Sequence, residues 1–437
     1  MIRNVLEGAR LLDAPPPIHL SRRAPKVRLG DSLWIDDDIL QKPTLILGQV
    51  SSGKSTLLRE IVGQIFQQME PRDNAVIFAA KQEMITPFYR PERGDRLISI
   101  DAVRAEDIWN IFCELDHSDM TEQTANELAR VLFADHRNDM QPFFSNAAED
   151  IFRTLLLYLH RHYRARTGKI PDNETLVTML LTTRLNDRVV DGKVMEKGLV
   201  TIIRENPVEL GHLEKYIGDG KSALPQSLGC LGELTAVIRS TFLGGAFCRR
   251  GTFSTSEALN GQRTFLLYDY ARSSVGGTKL LQMILDQMLK ACIDDRKAGQ
   301  RKTWFILDEC SLLLDHLQYI RNALSFGRSA GFRVIACAQS VTLLQTDHGA
   351  RESKSLLSLF PNVITFFTTD SETRTYLTNR YGKNLSVLTY MAGGVSRHEL
   401  RECNVINDWD FLKIRRPGDC IVSLAGYEPF YLMNNKE

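Results

Sequence analysis

Short apolar runs alternate with helical periodicity along most of the chain. Pro43-Thr-Leu-Ile-Leu47, Asn74-Ala-Val-Ile-Phe78, Arg96-Leu-Ile-Ser-Ile100 and Thr264-Phe-Leu-Leu-Tyr268 each have the length of a buried strand. So do Thr303-Trp-Phe-Ile-Leu307, Arg333-Val-Ile-Ala-Cys-Ala338, Val363-Ile-Thr-Phe-Phe367 and Cys420-Ile-Val-Ser-Leu424, the last strand expected. Amphipathic helices are predicted from Leu57 onward and from about Gly277 to Arg296, and Asp370 is placed to cap another. The alternation predicts an α/β fold with a mostly parallel sheet.

Between about 118 and 245 the texture changes. Thr121–Phe133, Ala147–Tyr163, Glu174–Leu185 and Leu231–Phe242 read as helices. In the second, Ile151, Leu155 and Leu159 share one face, and Phe152, Leu156 and Tyr163 a neighbouring one. The pattern predicts an all-α domain at 118–245, inserted into an α/β domain built from 1–117 and 246–437. Residues 1–40 read as a lead-in, broken by Pro15-Pro-Pro17, with a basic group of Arg22, Arg23, Lys26 and Arg28. That group is read as a solvated face or as a nucleic-acid contact.

Length and charge add bounds. The 437 residues suffice for two or three domains, and a net charge of +1 gives no bulk attraction to nucleic acid. The eight cysteines form no C-x-x-C pair, which fits a reduced, cytoplasmic protein. No apolar run approaches the roughly 18 residues of a membrane span.

The chemistry begins at Gly48-Gln-Val-Ser-Ser-Gly-Lys-Ser55, a G-x-x-x-x-G-K-S phosphate loop between a strand and a helix. Glycines let backbone N–H groups approach phosphate oxygens, and the helix start adds partial positive charge. Gly48, Gln49, Val50, Ser51, Ser52, Gly53, Lys54, Ser55 and Thr56 are the candidate ATP-binding set. Lys54 would reach the β- and γ-phosphates, and Ser55 would hold Mg²⁺. A second half-site lies where a strand ends in Asp308-Glu309: Asp308 would position Mg²⁺, and Glu309 would act as general base. Gln339 ends another strand, where it can sense the γ-phosphate or orient water. Arg328 is a candidate arginine finger acting across a subunit boundary, or a surface arginine. Arg374 and Arg380 are weaker candidates for the same task.

In this order the motifs resemble the type IV coupling proteins of bacterial conjugation, the TraD/TraG/TrwB group, within the FtsK/HerA set of RecA-like motor ATPases. The resemblance is carried by Leu45–Glu60, by Trp109-Asn110-Ile-Phe112, and by Phe305-Ile-Leu-Asp-Glu309, Gly327-Arg328-x-x-Gly331 and Ala338-Gln339-Ser340. It implies a RecA-like nucleotide-binding domain, an all-α domain, and homohexamers that pump single- or double-stranded DNA on ATP. It also implies docking to a relaxase or other secreted protein and to a type IV secretion channel. Family members usually carry N-terminal membrane helices. This chain is therefore expected to reach the inner membrane peripherally, through a separate anchor protein, or not at all. Members also often place an acid after the second strand, where this chain has Ala79-Ala-Lys-Gln-Glu83.

Three functions follow as expectations. The first is a motor that delivers DNA or a protein–DNA substrate to a secretion channel. The second is a HerA/FtsK-like DNA pump without a secretion role. The third is an ATP-binding docking platform with little hydrolysis, against which the intact Glu309 argues.

Overall fold

The computed structural model describes residues 2–22, 24–134, 142–219, 224–243, 245–269, 275–294, 301–314, 317–344, 350–392 and 395–433. The chain divides into two compact units, Met1–Phe88 with Cys292–Glu437, and Tyr89–Ala291.

The first unit is built on parallel strands. Thr44–Leu47, Asn74–Ala79, Thr303–Leu307, Phe332–Ala338 and Asn362–Phe366 are buried at every position. Their runs show no polar alternation because a parallel sheet is covered on both faces. From one side the order runs Phe430–Leu432, Cys420–Ser423, Asn362–Phe366, Thr44–Leu47, Phe332–Ala338, Thr303–Leu307, Asn74–Ala79. The first two strands are antiparallel to their neighbours, and the rest pair in parallel. The helix Lys54–Gln68 buries Leu57, Leu58, Ile61, Val62 and Ile65, an apolar stripe at helical spacing.

Two expectations for this unit need correction. Cys420–Ser423 is not the last strand, since Phe430–Leu432 pairs with it after a turn. The lead-in is not irregular throughout. Ile2–Glu7 pairs with Lys383–Ala392, which pairs with Val395–Asn404. Lys26–Leu29 and Leu33–Asp36 form a hairpin that buries Val27, Leu29, Leu33 and Ile35. Arg22 and Arg28 of the basic group are exposed there, and Arg23 lies outside the described residues.

The second unit holds the predicted helices as Thr121–Leu132, Pro142–Thr167, Asn173–Thr182 and Leu224–Phe242. Ile151, Phe152, Leu155 and Leu156 are buried, while Leu159 and Tyr163 are half-buried. The parallel strands Arg96–Ser99 and Arg263–Leu267 lie in the same unit. The predicted Gly277–Arg296 helix is seen as Val275–Asp294, and Arg296 lies outside the described residues. One strand pair departs from an all-α reading of 118–245. Arg188–Val190 and Lys193–Glu196 form an exposed hairpin. Asp191 and Gly192 both have positive φ, 52° and 75°, as a tight two-residue hairpin turn needs.

Trp109 and Asn110 form a clasp where the chain enters and leaves the helices. Asn110 N–H donates to Phe253 O at 3.0 Å, and the Asn110 side chain caps the Ile111–Asp116 helix by accepting from Phe112 N–H. Trp109 is fully buried and donates from Nε1 to Glu114 Oε1 at 2.7 Å. Glu114 also accepts from Thr255 N at 2.7 Å and from Thr255 Oγ1. Burial raises the Glu114 pKa, opposed by these donors from Thr255 and Trp109. Three buried donors thus depend on one carboxylate. Glu114→Ala orphans all three, which should cost roughly 3 kcal/mol or more. A clear fall in the denaturant midpoint of the second unit is expected, whereas an unchanged midpoint contradicts the clasp.

Candidate functional site

The phosphate loop lies between the Thr44–Leu47 strand and the Lys54–Gln68 helix, clamped from three sides. Gly48 N–H donates to Ala338 O at 3.3 Å, Gln49 N–H to Phe367 O at 3.0 Å, and Gly418 N–H to Ser52 O at 3.0 Å. Gly48 and Gly53 have φ of +151° and +109°. A Cβ on Gly53 would lie 2.8 Å from Gly418 N, and one on Gly48 2.6 Å from Phe366 Cβ. Only glycine fits that combination of backbone angle and close packing.

The loop presents donors. The helix starts at Lys54 with no side-chain cap and no acid in its first turn. Leu57 N–H is the first to bond back, to Gly53 O, so the N–H groups of residues 54–56 have no helical acceptor. This is the geometry of a helix-terminal anion site. Ser55 and Thr56 are exposed, and Val50 turns its side chain outward at 64% exposure. Ser52 Oγ is buried with no hydrogen-bond partner among the described residues. Lys54 is buried, and its Nζ donates to Gly48 O and, at 2.9 Å, to Gln49 O. Burial lowers its pKa, opposed by Cys337, Glu309 and Asp308. Together these donors suit a polyphosphate.

The acidic half-site stands two strands away, at the same carboxyl end of the sheet. Asp308 N–H donates to Phe78 O at 2.9 Å. Glu309 sits in the left-handed region, φ 61° and ψ 60°, which is uncommon for a side-chain-bearing residue. Its carboxylate is held at both oxygens: Gln339 Nε2 donates to Oε2 at 2.8 Å, and Ser311 Oγ donates to Oε1. Gln339 ends the strand lying between those of the phosphate loop and the acids, so it can reach one while flanking the other. Asp308 is pushed up to about 6, first by burial and then by Glu309, against Lys54, Lys81 and Arg59. A hard divalent cation with a phosphate oxygen would relieve that crowding, so the residues fit Mg²⁺.

The structure therefore brings together Gly48–Thr56, Asp308, Glu309 and Gln339. It does not bring Arg328 to them. Arg328 is exposed in the turn Gly327–Ala330, before the amino end of the Phe332–Ala338 strand. A seven-residue strand separates it from Gln339, on the order of 20 Å. Arg380 donates to Leu357 O, Phe360 O and Tyr376 Oη, and so braces its own helix. Arg374 is on the loop's side of the sheet: it donates to Thr369 O and pairs with Asp408 at 2.7 Å. Thr369 Oγ1 in turn donates to Gln49 Oε1 at 3.1 Å. Sequence reasoning missed Thr369 and Gly418. Pro417-Gly418 was legible as a turn, but nothing in it says that the turn packs on the phosphate loop.

The profile of the family described as the type IV secretion-system coupling protein DNA-binding domain matches residues 33–407. Among solved structures, the bacterial conjugative coupling protein TrwBdeltaN70, in a trigonal form with sulphate, gives a TM-score of 0.73 at 18% identity. It covers 99% of this chain and 95% of that one. The plasmid coupling protein TrwB in complex with ADP and Mg²⁺ gives 0.72 at 18% identity, over 100% and 95%. VirB4 of Thermoanaerobacter pseudethanolicus gives 0.57 at 11% identity, over 95% and 98%. These likenesses are of fold, and the fold is the expected α/β, RecA-like one. No curated protein matches the chain.

Because Asp308 titrates higher in the fold than its ordinary 3.8, its burial costs stability wherever it must ionise. That cost is full above about pH 6 and absent below about pH 4. Asp308→Asn is expected to stabilise the nucleotide-free protein at pH 7.5 by roughly 2–3 kcal/mol, with the gain fading on acidification. Thermal unfolding across that range checks this. A destabilised variant at pH 7.5 would contradict it.

Proposed function

The chain belongs to the type IV secretion-system coupling protein DNA-binding domain family, and from that membership we propose that it is an ATP-hydrolysing motor that translocates DNA, or a protein–DNA substrate, toward a type IV secretion channel. The observation that carries the catalytic reading is one cluster at the carboxyl end of a parallel sheet. It combines the donor-lined loop ending in Lys54, the crowded Asp308, and Glu309 held by Gln339. The complexes of TrwB with ADP and Mg²⁺ and with a non-hydrolysable ATP analogue support the same ligands here.

The residue roles follow from position. The N–H groups of Gly48–Thr56 receive the phosphates, with Lys54 leaving its loop carbonyls to reach the β- and γ-oxygens. Ser55 and Asp308 would hold Mg²⁺, which would supply positive charge against the phosphate oxygens. Glu309 takes the proton of the attacking water. Gln339 occupies one Glu309 oxygen, so turning that amide toward a γ-phosphate frees the base for water. Arg328 stands too far away to serve its own site and is assigned to the site of a neighbouring copy, which makes a ring, by analogy a homohexamer, the active form. Residues 118–245 are assigned as the inserted helical domain.

Single- or double-stranded DNA is the proposed polymer, and a relaxase or other secreted protein the proposed cargo. No described helix is long and apolar enough to cross a membrane. We assign the protein to the cytoplasmic face, peripheral to the inner membrane through a separate anchor or the secretion channel itself.

ATP turnover by the full chain, with and without single-stranded DNA, tests the reading. Turnover should rise with DNA and vanish in Lys54→Ala. Glu309→Gln should keep nucleotide affinity while slowing hydrolysis by about 100-fold or more. ATP bound but never hydrolysed, with or without DNA, would instead make the protein a docking platform.

A further inference from the structure

The three-stranded sheet of the first unit ends in a strand that the proposed function does not use. Val395–Asn404 pairs on one side with Lys383–Ala392 and ends the strand order on the other. Every residue from Val395 to Glu402 is exposed, so both faces of the strand are open as well as its edge. Leu400 is 61% exposed and Val395 63%. Such an edge carries unpaired N–H and C=O groups and is a template for another strand. Charged side chains on an edge usually keep strands apart. Here their order does the reverse in one register.

In an antiparallel pair related by a two-fold axis through the sheet, each residue faces a partner at a constant index sum. With the axis at Leu400, Leu400 faces Leu400, Glu399 faces Arg401, and His398 faces Glu402. Each of the two unlike facings occurs twice by symmetry. Moving the centre one residue either way sets Glu399 against Glu399, or Arg401 against Arg401. Existing bonds leave the arrangement available. His398 Nδ1 meets Thr389 Oγ1 at 3.0 Å, which uses one of its two ring nitrogens. Among the described residues Glu402 is tied to Lys383 alone, at 3.6 Å, with both side chains well exposed.

We propose that Val395–Asn404 is a self-recognition edge, pairing antiparallel with the same strand of a second copy in the register centred on Leu400. The pairing joins two three-stranded sheets into one continuous sheet and buries Leu400 against its symmetry mate. It is independent of the nucleotide site.

Charge exchange tests it on the full chain, with mass measured by sedimentation equilibrium across a concentration series. Glu399→Arg alone and Arg401→Glu alone each set like charges opposite one another twice. Each is expected to weaken the wild-type dimerisation step by about tenfold or more. The double exchange E399R/R401E restores the complementary order and should restore the dimer, which a merely misfolded variant could not do. A wild-type chain with no dimerisation step, single variants that associate as well as wild type, or a double variant as weak as the singles would each overturn the proposal. Nucleotide affinity should be equal in all four proteins when assayed below the dimerisation range.

Discussion

Everything at the nucleotide site depends on how closely the backbone packs around the phosphate loop. The loop is pinned by Ala338 on one side, Phe367 on the other and Gly418 from a third direction. No Cβ fits at Gly48 or Gly53. That clamp aims the first-turn N–H groups of the Lys54–Gln68 helix into one spot and sets where Lys54 can reach. Gly418 is as much part of the phosphate loop as the residues within it, although more than 360 residues separate them in sequence.

The site is also where the fold gives up stability. Asp308 and Lys54 are each pushed toward neutrality by burial, Glu309 takes a left-handed backbone conformation, and the Ser52 hydroxyl is buried without a partner. None of these features stabilises the free protein. A polyphosphate with a divalent cation would relieve the charged part of this cost, the phosphate facing Lys54 and the cation facing Asp308. The Gln339–Glu309 bond occupies one carboxylate oxygen and Ser311 the other, so in the proposed mechanism the amide on the intervening strand must turn away before Oε2 can take a proton.

Much of this was legible in the sequence, for definite reasons. The buried parallel strands announce themselves as apolar runs because both faces are covered, and their bounds fall within a residue or two of expectation. The loop and the Asp308-Glu309 pair were readable because phosphate chemistry demands fixed residue types at fixed spacing. What stayed hidden was set by partners distant in sequence. Val395–Glu402 has no apolar face, so no periodicity marks it as a strand. Ile2–Glu7 is ordered only by pairing with Lys383–Ala392. Trp109-Asn110 is legible as a signature, but its work as a clasp depends on Glu114, Asn173 and Thr255, brought to it by the fold.

The central claim is that hydrolysis at this loop moves DNA. The most direct measurement is displacement of a protein roadblock from the end of a DNA strand by the full chain, followed with ATP and with a non-hydrolysable analogue. The account predicts displacement with ATP alone, at a rate that tracks turnover. Hydrolysis that proceeds on DNA while the roadblock stays in place would contradict it.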